Sequence, residues 1–144
     1  MAQADPEAET VINGTVLTVD HTRPTAEALA VADGRIIAVG TRSDVEGLIG
    51  PGTQTIDVGD GCVMPGFVEA HGHPLTEAVA LSDRIVDIRP VTVPNADDVV
   101  GSLEVGKYAD LVVLSTDPRT VRPEQIADLD VRATYLAGRQ VYQQ

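Results

Sequence analysis

The chain has 144 residues, enough for one ordinary domain with a real core, and 43% of them are hydrophobic. Its 22 acidic side chains against ten basic ones leave a formal net charge of −12, which argues against DNA, RNA or an anionic membrane as partner. Thirteen glycines and nine prolines suit a turn-rich β protein better than a helix bundle. With one Phe, three Tyr and no Trp, the core must be mostly Val, Ile, Leu and Ala. The single Cys62 excludes an internal disulfide and fits a reducing cytosol, so a cytoplasmic location is expected. No apolar run approaches the about 20 residues of a membrane helix. The opening MAQADPEAET lacks the basic and apolar regions of a signal peptide, and residues 1–9 read as a disordered tail.

In chain order, Thr10–Asp20 (TVINGTVLTVD) has Asn13-Gly14 between apolar runs, the dipeptide of a type I′ hairpin turn. In Thr25–Gly40, Asp33-Gly34 joins ALAVA to RIIAVG as a second hairpin. Ser43–Leu48 can form a short helical turn capped by Ser43 and stopped at Gly50-Pro51-Gly52. Thr53–Val58 alternates as a strand, Gly59-Asp60-Gly61 turns, and Cys62-Val63-Met64 leads to Pro65-Gly66. Leu75–Leu81 reads as a helix opened by Pro74, Arg84–Arg89 alternates again, and Asn95–Asp98 carries a helix-start signal. Ala109–Ser115 (ADLVVLS) is an apolar, buried-type strand, and Pro118–Leu129 is a loop with one short helical turn. Val131–Tyr142 breaks at Ala137-Gly138 into a final hairpin. The dominant period is 2, giving eight or nine strands and no fixed-period repeat.

The chemistry-bearing stretch is Pro65–His73, PGFVEAHGH. On a strand, side chains two apart share a face, which sets Phe67, Glu69, His71 and His73 on one side. Two imidazoles on one face can chelate one divalent metal. The chain has three histidines and two stand here. Glu69 reads as a strand-end acid rather than a ligand, and His21 as a solvated turn residue. Cys62, with no basic partner nearby in sequence, reads as a small buried filler.

Three blocks together, NGTVLTVD…AEALAVADGRIIAVG, then TIDV…VMPGFVEAHGHP, then GSLEVGKYADLVVLSTDP…VRATYLAGRQVY, resemble the metal-dependent amidohydrolase superfamily, in particular the branch of N-substituted formamide deformylases. The resemblance covers roughly residues 10–144. It implies a mainly β fold: a composite β-sandwich built from both chain ends, residues 10–64 and 101–144. Residues 65–100 would be a remnant of an inserted (β/α)₈ barrel, namely its first strand and the segment after it. It implies His71 and His73 as metal ligands, a divalent metal such as zinc, and a small-molecule amide as substrate. A metal of this kind lowers the pKa of a bound water and polarises the carbonyl.

The sequence departs from the family at Val100-Gly101, where the rest of a barrel of ~200 residues or more would stand. The chain resembles an internally deleted member. The family's other metal ligands and its catalytic aspartate lie on later barrel strands, and no residue here matches that aspartate. Lys107 is the only lysine and lies in the sandwich turn GKYAD, while the family role of Asp110 is structural. Three readings stay open: a C–N hydrolase by family, a non-catalytic sandwich module that self-associates through its barrel-facing surface, and a weak divalent-metal binder. The sandwich is expected to form without the barrel, with residues 65–100 the least well-determined part and first cut by protease between about Pro74 and Val100.

Overall fold

The computed structural model describes residues 7–67 and 98–144. The described part is mainly β, with seven strands: β1 (Thr10–Leu17), β2 (Thr25–Ala32), β3 (Arg35–Gly40), β4 (Gln54–Pro65), β5 (Leu111–Leu114), β6 (Val131–Leu136) and β7 (Arg139–Gln143). They form one sheet in the order β3-β2-β1-β4-β5-β6-β7. All neighbours are antiparallel except β1 and β4, which run parallel.

Alternation decides which side chains meet. Ile12 and Val16 of β1, Leu29 and Val31 of β2, Val63 of β4, Leu111 and Val113 of β5, and Ala133 and Tyr135 of β6 share one buried cluster. Strands from both chain ends therefore bury one face against each other, as a sandwich does. Two hairpin turns close it. Ala109 donates its N–H to Gly34 O (3.0 Å) and accepts from the Gly138 N–H (3.0 Å). Arg35 stacks over the Tyr108 ring at 3.6 Å and donates to Gly106 O at 2.9 Å.

The opposite face has its own cover near β1–β3. There α1 (Arg42–Glu46) sets Val45 against Val11, Ala28 and Ala30. Its cap is Thr41, not Ser43. The Thr41 hydroxyl accepts from the Asp44 N–H and the Asp44 carboxylate from the Thr41 N–H, a complete capping box. The C-cap is Gly47, three residues before the expected stop.

Turn chemistry explains most element ends. Asp33 and Gly34 have φ of 51° and 73°, and Ala137 and Gly138 have 45° and 71°, the paired positive values that a type I′ hairpin needs. The short helical turn expected within Pro118–Leu129 is a six-residue 3₁₀ helix at Pro123–Asp128. Two expectations are corrected. Asn13-Gly14 is not a hairpin: β1 runs straight through it, and the register against both β2 and β4 slips there. It is a bulge, a second use of a glycine free of β-carbon constraints. Gly59-Asp60-Gly61 likewise does not end a strand but makes an excursion inside β4, between the pairs Asn13↔Asp57 and Thr15↔Cys62. The expected helix at 75–81 and strand at 84–89 lie outside the described residues.

Candidate functional site

The approach to the histidine pair begins inside the sheet. The Cys62–Pro65 end of β4 is held between β1 and β5, and Gly66 N–H donates to Asp110 O at 2.9 Å. The Phe67 ring is 74% exposed. Glu69, His71 and His73 lie outside the described residues.

The chain returns beside this point. Val19, Met64, Pro65, Gly66, Phe67 and Gly101 line one hollow of about 260 Å³, and the Tyr108 N–H donates to Val99 O at 2.9 Å. Val19 stands in the left-handed region (φ 60°) and is 57% exposed. A β-branched residue rarely adopts this conformation. Thr18 enforces it. Its side chain is fully buried, its hydroxyl donates to Arg23 O and accepts from the Asp20 N–H (3.1 Å), and its carbonyl accepts from the Leu103 N–H (2.7 Å).

The other reactive groups are committed to structure. Lys107 Nζ lies 2.8 Å from the Glu104 carboxylate and 2.6 Å from Ser102 Oγ. The Lys107 ammonium and the Ser102 hydroxyl hold the Glu104 carboxyl below its ordinary range. These two contacts commit the Lys107 side chain to the turn. Asp110 Oδ1 accepts from the Ala137 N–H at 2.7 Å, fastening the final hairpin. His21 is exposed in a bend. Among the described residues, no three His, Cys, Asp or Glu side chains gather as a metal-binding group.

Cys62 is fully buried, and its thiol is pushed up to about 11, chiefly by desolvation and then by the Asp117 carboxylate. It stays protonated near neutrality. Native protein at pH 8 should therefore react with a thiol reagent such as iodoacetamide at least tenfold more slowly than urea-unfolded protein, as read by mass spectrometry. Equal rates would contradict a sealed β4–β5 interface. Because the folded-state value lies above the unfolded one, the thiol's contribution to stability is present below pH 9 and is lost as pH climbs toward 11.

Comparison with known proteins fits this architecture. The Amidohydrolase family profile matches residues 84–142. N-substituted formamide deformylase from Arthrobacter pascens is 35% identical over 94 residues, 65% of this chain and 17% of that enzyme. A 5-methylthioadenosine/S-adenosylhomocysteine deaminase from Nitratidesulfovibrio vulgaris is 45% identical over 60 residues, 40% of this chain and 13% of that one. A zinc-bound adenosine deaminase from Xanthomonas campestris superimposes with a TM-score of 0.43 at 30% identity, covering 56% of this chain and 19% of its own. The chain thus spans less than a fifth of the length of these relatives. The profile match and the 35% identity to the deformylase make the chain similar to the amidohydrolase superfamily, and the described residues form the mainly β, seven-stranded sheet.

Proposed function

We propose that this chain is the β-sandwich portion of a metal-dependent hydrolase of non-peptide C–N bonds, and that it is catalytically incomplete. In this reading residues 10–64 and 101–144 form the sandwich, and 65–100 is a remnant of the inserted barrel. His71 and His73 supply two ligands for a divalent metal, zinc for preference. A catalytic zinc normally has three protein ligands and a water. Activating that water also needs an acid/base group within reach. The only lysine is tied to Glu104 and Ser102, and Asp110 is tied to the final hairpin.

The observation that carries the reading is where the chain leaves and returns. Gly66–Phe67 and Gly101 border one hollow, which supports reading the stretch between them as an insertion into the sandwich. At that hollow Val19 and Phe67 are exposed, and apolar exposure of this kind favours the self-association proposed here. The proposed substrate class is a small amide and the proposed location is cytoplasmic. Among the described residues no helix is long and apolar enough to cross a membrane.

Equilibrium dialysis against zinc tests the ligand assignment. The wild-type chain should bind zinc weakly, and the double variant His71→Ala/His73→Ala should lose that binding with an unchanged thermal midpoint. Undiminished zinc binding by the double variant would sink the assignment.

A further inference from the structure

The sheet ends at two outer strands, and both are blunted. Along β3 the Ile36 N–H donates to Lys107 O (3.0 Å), Ile36 O accepts from the Gly106 N–H (2.8 Å), and the Arg23 guanidinium sits on Val39 O. In β7 the register against β6 slips between Gln140 and Tyr142, leaving Val141 as a bulge. Loops, guanidinium caps and bulges of this sort keep strand edges from pairing with other chains.

A third edge lies inside the fold. The Gln54–Asp57 part of β4 pairs with β1, but β5 reaches β4 only at Cys62–Pro65. Gln54 directs its N–H to Glu9 O at 2.9 Å, on the β1 side. Strand alternation then turns the N–H and C=O of Thr55 and Asp57 the other way. Among the described residues, no backbone group pairs with them there.

A groove of about 400 Å³ runs along this edge, lined by the five consecutive residues Gln54–Val58. Its floor is apolar, with Val113, Ala133 and Tyr135, and across it stand Gln140 and Gln143 of β7. The two glutamine amides bond to each other at 2.9 Å. Arg132 closes one end by donating to Val58 O at 3.4 Å. The nearby charges are cancelled internally: Arg42 pairs with Asp57 at 3.1 Å and Arg132 with Asp60 at 2.8 Å.

We propose that this groove binds an extended, uncharged peptide segment of a partner protein, which adds as a strand to β4. Thr55 and Asp57 offer the ladder groups. Alternate apolar side chains of the peptide rest on Val58, Val113 and Tyr135, and the Gln140 and Gln143 amides face its far edge. A main-chain ladder gives affinity and the alternate pockets give selectivity, the usual division in strand addition. With the local ion pairs satisfied, the groove has no free charge to match an acidic or basic peptide.

The test uses the full chain and a capped pentapeptide, acetyl-Ser-Val-Thr-Val-Ser-amide, with amide hydrogen exchange followed by NMR. Saturating peptide should slow exchange at Thr55 and Asp57 at least tenfold and leave the other exposed amides unchanged. Thr55→Pro, which removes one outward N–H, should abolish binding, whereas Thr55→Ala, which keeps it, should bind as wild type. Gln140→Ala/Gln143→Ala, on the exposed β7, should weaken binding at least fivefold. Three outcomes would overturn the proposal: no added protection, binding indifferent to the proline or to the glutamine pair, or protection without peptide that rises with protein concentration, which would make a second copy the occupant.

Discussion

Leu29→Ala should lower the unfolding free energy by about 3 kcal/mol, within the ~2–5 kcal/mol typical of emptying a buried leucine site. Leu29 is fully buried at the centre of β2, paired with Ile12 on one side and Val39 on the other. Its cluster also contains Val63, Leu111 and Tyr135, so the cavity would open between strands from the two chain ends. The surrounding ladders hold the backbone and limit collapse into the space. A domain of this size has only ~5–15 kcal/mol to lose. The urea midpoint should fall with an unchanged m-value. A loss below about 1 kcal/mol would mean that the two parts of the chain do not share a core.

Gly138→Val should cost about 2–4 kcal/mol, because two effects add at one residue. Gly138 has φ 71°, a region that L side chains rarely adopt. A β-carbon there would also come 2.8 Å from Val31 Cγ1, across the contact between the first and last hairpins. Gly59→Val separates the two effects. Its φ is 60°, but nothing lies within 4 Å of the added carbon, so only the backbone part, ~1–2 kcal/mol, should appear. Thermal melts of the two variants compare them directly. Equal losses would contradict the proposed contact between the hairpins.

What the sequence made legible was local chemistry. Asp33-Gly34 and Ala137-Gly138 are hairpin turns because their residues tolerate the paired positive φ values observed there. The unbroken apolar run LVVL became β5, a strand buried along its whole length. Misreadings came where one local signal serves two structures. Asn13-Gly14 suits a turn or a bulge, and only pairing with β2 and β4 on both flanks decides for the bulge. Thr41–Asp44 and Ser43–Glu46 are overlapping capping patterns, and the packing of Val45 selects the first. Long-range features left no local mark. Neither the parallel pairing of β1 with β4 nor the groove where β4 outruns β5 follows from period or composition. The tie of Lys107 to Glu104 and Ser102 needed coordinates.

In the proposed function this chain carries His71 and His73 as a two-ligand metal site without the machinery to turn over a substrate. The most direct test is the hydrolysis rate of an N-substituted formamide and an N-acyl amino acid by the zinc-loaded wild-type chain and by His71→Ala/His73→Ala, side by side at equal zinc. Both preparations should stay within about twofold of zinc in buffer, because two histidines fall short of the three protein ligands of a catalytic zinc. Substantial turnover by the wild type that disappears in the double variant would contradict it.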